Sequence, residues 1–309
     1  MSFFKKLFGN TDDEPDATLG YGKANDFRQL VRQRQFDKAE KLYNQVAWEG
    51  RSLIVAGISE AAACRDFIRE WVKQVPDSSL ANLCNGVVHT QIAWEHRTNQ
   101  LAHRVTDDQA TRFFEHLMVA RQSLQKAEFL NPADPTILSA LLPVYMGLEL
   151  PLEESRELFD RLKQLEPTHL GGHIALINSL TPKWGGSIED MTAFAETYQN
   201  DSPVLITLAL LSLINQWENH HLEGDYEAYK TFFQWDETKA SIKRLYQQFM
   251  EQNDTSLLAP IARNYFAFVL IKAGFRQDYL AEVKKLRGKM YPYPWKRVGI
   301  TTYSKLLTL

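Results

Sequence analysis

From Ala24 onward the apolar positions recur at helical spacing. Phe27, Leu30 and Val31 fall at i, i+3 and i+4; after an interruption at Phe36-Asp37 the pattern resumes with Ala39, Leu42, Tyr43 and Val46. Asp37 is placed to cap the second helix. Two amphipathic helices joined by a short turn form a hairpin in which each covers the other's apolar stripe. Further helices are predicted at 172–180, 188–199, 203–221, 226–235, 237–252, 256–273 and 276–290, with no alternating strand pattern between them. The start of the chain is different. A Phe-rich piece (Phe3, Phe4, Leu7, Phe8) precedes an acidic stretch with Asp12, Asp13, Glu14 and Asp16. That stretch has little to bury, so residues 1–23 are expected to be a flexible segment. The Phe-rich piece is open to two readings: contact with a membrane or partner, or packing back on the body.

One spacing repeats. Ala120, Leu124 and Ala127 lie on one helical face that ends at Asn131-Pro132. The same offsets return as Ser155, Phe159, Leu162 and Pro167, and less faithfully as Cys64, Ile68, Trp71 and Pro76. A small residue lets two helices of a hairpin approach, a large one fills the neighbouring groove, and the proline stops the helix. Pro132 and Pro167 are 35 residues apart. This resembles the second half of a tetratricopeptide repeat, whose period is about 34 residues. Pro76 and Pro132 are 56 residues apart, which predicts longer helices between them, and Pro143 is expected to kink its helix.

A second motif, Pro182-Lys183-Trp184-Gly185-Gly186-Ser187, follows the helix that carries His169 and His173. Together with Trp94-Glu95-x-Arg97 it resembles an uncharacterised family of bacterial, tetratricopeptide-like helical proteins, over about residues 25–220. That resemblance implies a fold and carries no activity with it.

Composition narrows the class. Apolar residues are 44% and charged residues 24% of the 309, a globular balance; Gly (15) and Pro (12) are too few for a fold built from many tight turns. Two cysteines, Cys64 and Cys84, imply no disulfide framework and a reducing compartment. The N-terminus has no continuous apolar h-region, so it does not read as a signal peptide. The longest apolar run, 204–214, is too short for a bilayer span of about 20 residues. A cytoplasmic protein is expected. The net charge of −3 is unevenly spread: residues 276–309 carry eight basic against two acidic residues, and the remainder is correspondingly acidic at −9.

The candidate chemistry is sparse. Gly185 and Gly186 permit positive φ or close backbone approach, and Ser187 with Asp190 has the spacing of a helix cap. That loop either receives an anionic group, with Trp184 covering one side, or plugs the gap between hairpins. It lacks the following Lys-Ser/Thr of a phosphate-binding P-loop. His169 and His173 share a helical face, as do His89, His96 and His103, without a third ligand or a His-Glu-x-x-His arrangement. No metal or other cofactor is expected. No nucleophile elbow, reactive cysteine or carboxylate pair points to catalysis. Tyr291, Tyr293, Trp295 and Tyr303 interleave with the C-terminal basic residues. Three readings stay open there: a packed cap, an acidic protein partner, or single-stranded nucleic acid, the last a weak signal. Residues 217–237 mix acidic residues with Tyr226, Tyr229, Phe232, Phe233 and Trp235, which suits a basic partner or an ordinary aromatic core.

The sequence therefore predicts an all-α protein, a TPR-like α-solenoid of stacked antiparallel hairpins over residues 24–290, with a tail at 291–309. Its expected function is that of a non-catalytic adaptor or scaffold holding another protein or peptide in a concave groove. An immunity (antitoxin-like) protein that neutralises a toxin by stoichiometric binding is the second reading, and a hydrolase or metal-dependent enzyme the third. The candidate binding residues are Trp184, Gly185, Gly186, Ser187, His173, Trp94, Glu95, Arg97, Trp295, Lys296 and Arg297.

Overall fold

The computed structural model describes residues 13–97 and 105–309; the Phe-rich start and His103 lie outside them. Among the described residues all regular structure is helical and there is no strand. The chain divides into two compact units, Tyr21–Ser179 and, with the N-terminal residues, Leu180–Leu309.

The first unit holds α1 (Gly22–Arg32), α2 (Phe36–Asn44), α3 (Trp48–Glu60), α4 (Arg65–Gln74), α5 (Ser79–Arg97), α6 (Asp107–Leu130), α7 (Pro135–Gly147), α8 (Leu152–Leu165) and α9 (Leu170–Ser179). The repeated spacing marks α4, α6 and α8. Cys64, Ile68, Trp71, Ala120, Leu124, Ala127, Ser155, Phe159 and Leu162 are all buried. The long pair expected between Pro76 and Pro132 is α5 and α6, the most extensively packed pair among the described helices. They approach so closely that a Cβ on Gly86 would sit 2.4 Å from the Leu124 side chain. Odd-numbered helices pack in succession, α1 on α3, α3 on α5, α5 on α7 and α7 on α9; no comparable packing joins α2 to α4, α4 to α6 or α6 to α8. The N-terminal ends of α3, α7 and α9 carry further contacts. Asp134 caps α7 by accepting from the Thr136 N–H (3.0 Å), and it also accepts from the Tyr43 hydroxyl (2.9 Å) and faces Arg51 of α3 at 3.5 Å. Trp48 of α3 packs on the His169 ring at 4.8 Å.

The second unit holds α10 (Ile188–Tyr198), α11 (Thr207–Leu222), α12 (Tyr226–Thr231), α13 (Asp236–Gln252), α14 (Ala259–Lys272), α15 (Arg276–Leu286), α16 (Pro292–Trp295) and α17 (Tyr303–Leu306). Its centre is α14, which packs against α11, α13, α15 and α16. The stretch after α15, expected to be a tail, is bound to the body. Asn264 of α14 is fully buried; its Oδ1 accepts from the Tyr291 N–H (3.1 Å) and the Trp295 indole N–H (2.8 Å), and its amide donates to Lys289 O (3.0 Å). Tyr279 donates to Leu306 O (2.5 Å) and Tyr303 to Val283 O (2.6 Å). Residues 13–20, expected to be flexible, are also seated. The Asp16 N–H donates to Met290 O (2.8 Å), Asp13 O accepts from the Tyr303 N–H (2.7 Å), and Ala17, Thr18 and Leu19 are buried. Composition could not reveal this, because the anchoring groups lie almost 300 residues away in sequence.

No helix of the described residues is long and apolar enough to cross a membrane.

Candidate functional site

Within the Leu180–Leu309 unit, two of the sequence motifs act on one carboxylate. Glu218 stands on the buried stripe of α11, one turn beyond Ile214 and two beyond Leu211, and its side chain is 19% exposed. Arg297, in the turn after α16, pairs with it at 3.1 Å, and the same guanidinium lies 5.4 Å from the centre of the Tyr293 ring. Tyr293 in turn packs on Tyr265 at 5.5 Å. Burial raises the Glu218 carboxyl above the ordinary carboxylate value; Arg297, then Lys183 and His221, pull it back toward the charged form. Burial also lifts the Tyr293 hydroxyl, reinforced by the Glu218 charge.

Lys183 belongs to the Pro-Lys-Trp-Gly-Gly-Ser loop. Pro182–Trp184 form a single 3₁₀ turn, ended by Gly185 at φ +89°. Gly186 has a different reason to be glycine: its Cβ would fall 2.1 Å from the Leu180 carbonyl oxygen. The Gly186 N–H closes the loop on Thr181 O (3.1 Å), and the Ser187 hydroxyl caps α10 by accepting from the Asp190 N–H (3.0 Å). Trp184 is half-buried, with the Lys183 ammonium 5.6 Å above its ring. Loop closure thus accounts for both glycines and the serine. Lys183, Lys296 and Arg297 are the cations this region exposes. Trp295 itself is a core side chain, fully buried and bound to Asn264.

The remaining sequence candidates lie in the Tyr21–Ser179 unit. His169 caps α9, its Nδ1 accepting from the Gly172 N–H (3.1 Å), so the ring proton sits on Nε2, facing Ser52 Oγ at 3.4 Å. His173 Nδ1 donates to His169 O (3.0 Å), and its ring meets Phe159 edge-on. Burial, reinforced by His173, lowers His169 to about 3. Trp94 packs edge-to-face on Phe113, Glu95 pairs with Arg65 at 2.5 Å, and Arg97 is the last residue of α5.

Sequence reading missed His116. It stands on α6 with its Nδ1 2.9 Å from His89 Nδ1 and its ring stacked 5.6 Å from His96. Burial and the neighbouring His116 lower His89 to about 4, and His116 is lowered chiefly by burial. No local pattern announces a partner 27 residues away. Glu218 could have been found, since it shares a helical face with Leu211 and Ile214; Asn264 is likewise a lone amide inside an apolar run. Cys64 and Cys84 are buried, and burial pushes both thiols up. Among the described residues no group of three or more His, Cys, Asp or Glu is arranged to hold a metal ion. Comparison with protein-family models, with curated proteins and with solved structures yields no match.

Proposed function

We propose that this protein is a non-catalytic interaction module whose Tyr21–Ser179 unit is a TPR-like stack of hairpins holding a segment of a partner protein along its inner layer. The observation that carries the reading is the unequal packing of the two layers. Odd-numbered helices pack closely on their successors, whereas successive even-numbered helices make only slight contact, such as the Arg161–Glu128 ion pair between α8 and α6. A stack whose one layer is tighter than the other curves toward the tight layer, so α3, α5, α7 and α9 lie on the inside of the curve. Those helices present half-buried apolar positions, among them Val55 and Ala56 on α3, Ile92 on α5, Met146 on α7 and Ile174 on α9. Of the even helices, α2, α4 and α8 turn exposed charges outward, such as Lys41, Arg69 and Glu157, while α6 also exposes Phe114, Met118, Val119 and Phe129. A run of half-buried apolar positions along successive helices suits capture of an extended or helical peptide.

The test is quantitative binding to the partner recovered by affinity purification at moderate salt. Ile174→Glu and Ala56→Glu, both on the inner layer, are expected to weaken binding at least about tenfold, the effect of 1.4 kcal/mol. Glu157→Lys on the outer layer is expected to leave it unchanged. The reverse pattern would refute the assignment of the inner layer. A partner that binds one-to-one, very tightly, and whose toxicity the protein relieves would select the immunity reading over the adaptor.

A further inference from the structure

The corner of the Leu180–Leu309 unit where α11 ends, α12 runs and α13 begins displays two large aromatic side chains and a leucine to solvent. Tyr226 is 57% exposed, Leu222 45% and Trp235 41%. They are joined by two consecutive histidines at the end of α11: His220 lies 5.5 Å from the Trp235 ring and His221 5.6 Å from the Tyr226 ring. Phe232 holds Trp235 from beneath at 5.1 Å, and the Trp235 indole N–H donates to Thr231 Oγ1 at 3.2 Å. The aromatics are therefore supported from within the unit and presented outward.

Charge decides what covers them. Glu223, Glu227, Asp236 and Glu237 are all exposed around the patch. The lysine of that stretch, Lys230, is bound to Glu227 at 2.9 Å, and Asp225 is engaged in capping α12. The rim thus keeps a net negative charge, while Trp and Tyr faces attract cations through their ring quadrupoles. Exposed aromatics within a like-charged rim favour a partner of opposite charge, which gains encounter rate from the rim and contact energy from the rings.

We propose that this corner binds a lysine- or arginine-rich peptide segment of a partner protein, with cationic side chains over Trp235 and Tyr226 and their neighbours against the carboxylates. The surface belongs to the Leu180–Leu309 unit and shares no residue with the helices proposed above, and neither proposal stands or falls with the other.

The experiment uses the full chain and a fluorescein-labelled peptide of alternating arginine, lysine and serine, with a glutamate-for-lysine peptide as control. Fluorescence anisotropy is expected to show saturable binding of the basic peptide alone, weakening between about 50 mM and about 300 mM salt as screening grows. Neutralising the rim with E223Q, E227Q, D236N and E237Q together is expected to weaken binding about tenfold or more. Trp235→Ser is expected to weaken it about tenfold. Tyr226→Ser, whose ring is mostly in solvent and whose loss spares the fold, is expected to weaken it severalfold. Absence of binding would overturn the proposal. So would binding that responds to the rim but not to either aromatic, which would mark diffuse polyelectrolyte attraction.

Discussion

At the scale of single residues, several positions that the sequence made conspicuous turn out to be explained by backbone geometry. Gly185 sits at φ +89° with open space where a Cβ would go, so Gly185→Ala is expected to cost about 1 kcal/mol through the conformation alone. Gly186→Ala places a Cβ 2.1 Å from a carbonyl oxygen and forces the loop to move, so the loss expected in urea titration is larger, about 2 kcal/mol or more. Trp184→Ala separates the two roles of the loop. Loss of partner binding at unchanged stability assigns the ring to recognition, and loss of stability assigns it to packing. Asn264 makes the opposite point. It satisfies two donors and two carbonyls at the heart of the second unit, so Asn264→Leu strands the Trp295 indole and the Tyr291 amide. The expected cost is about 2–4 kcal/mol, measured by urea denaturation; a loss below about 1 kcal/mol would show that these groups find water instead.

At the scale of elements, helix identity and the buried faces were legible in the sequence because they depend on spacing alone. The Cys64, Ala120 and Ser155 patterns fell on the buried faces of α4, α6 and α8. The Ser187–Asp190 cap formed as its spacing implied. What depends on distant partners was not legible. Nothing near Asp16 points to Met290, nothing near His89 points to His116, and nothing near Trp295 points to Asn264. The tail 291–309 left a packed cap and two binding surfaces open in the sequence; its Trp295, offered as a binding residue, and its Leu306 are fully buried. Leu306→Ala is accordingly expected to destabilise the protein by about 2–4 kcal/mol in urea, the range for a large-to-small core change, whereas a solvated tail would lose almost nothing.

The histidine-bearing turn before α9 gives a pH dependence with a definite sign. His169 is neutral in the folded chain, lowered to about 3, against about 6.5 when unfolded. Between those values the unfolded chain binds more protons, so stability is full above about pH 6.5 and falls as the pH drops. At pH 5 the deficit from His169 alone is about 2 kcal/mol. The His89–His116 pair adds in the same direction, since two Nδ1 atoms 2.9 Å apart can share one proton but not hold one each. His169→Asn keeps a cap acceptor and removes the titration. Its stability measured in urea at pH 7.5 and at pH 5 is expected to fall less than that of the parent; an unchanged difference would contradict the assignment.

At the scale of the whole molecule, two compact units offer different surfaces. The Tyr21–Ser179 unit has closely packed odd helices with half-buried apolar positions, and the Leu180–Leu309 unit has a supported aromatic corner within an acidic rim. Both are proposed as surfaces for holding another chain, occupancy of the first as the protein's main work. Site-specific photo-cross-linking in the native cell tests it most directly, with the reactive residue placed at Ala56, Met146 or Ile174 on the inner layer and at Lys41 or Glu157 on the outer. One discrete adduct is expected from the inner positions and none from the outer. Adducts from the outer positions alone, or no adduct from any inner position, would contradict the proposal.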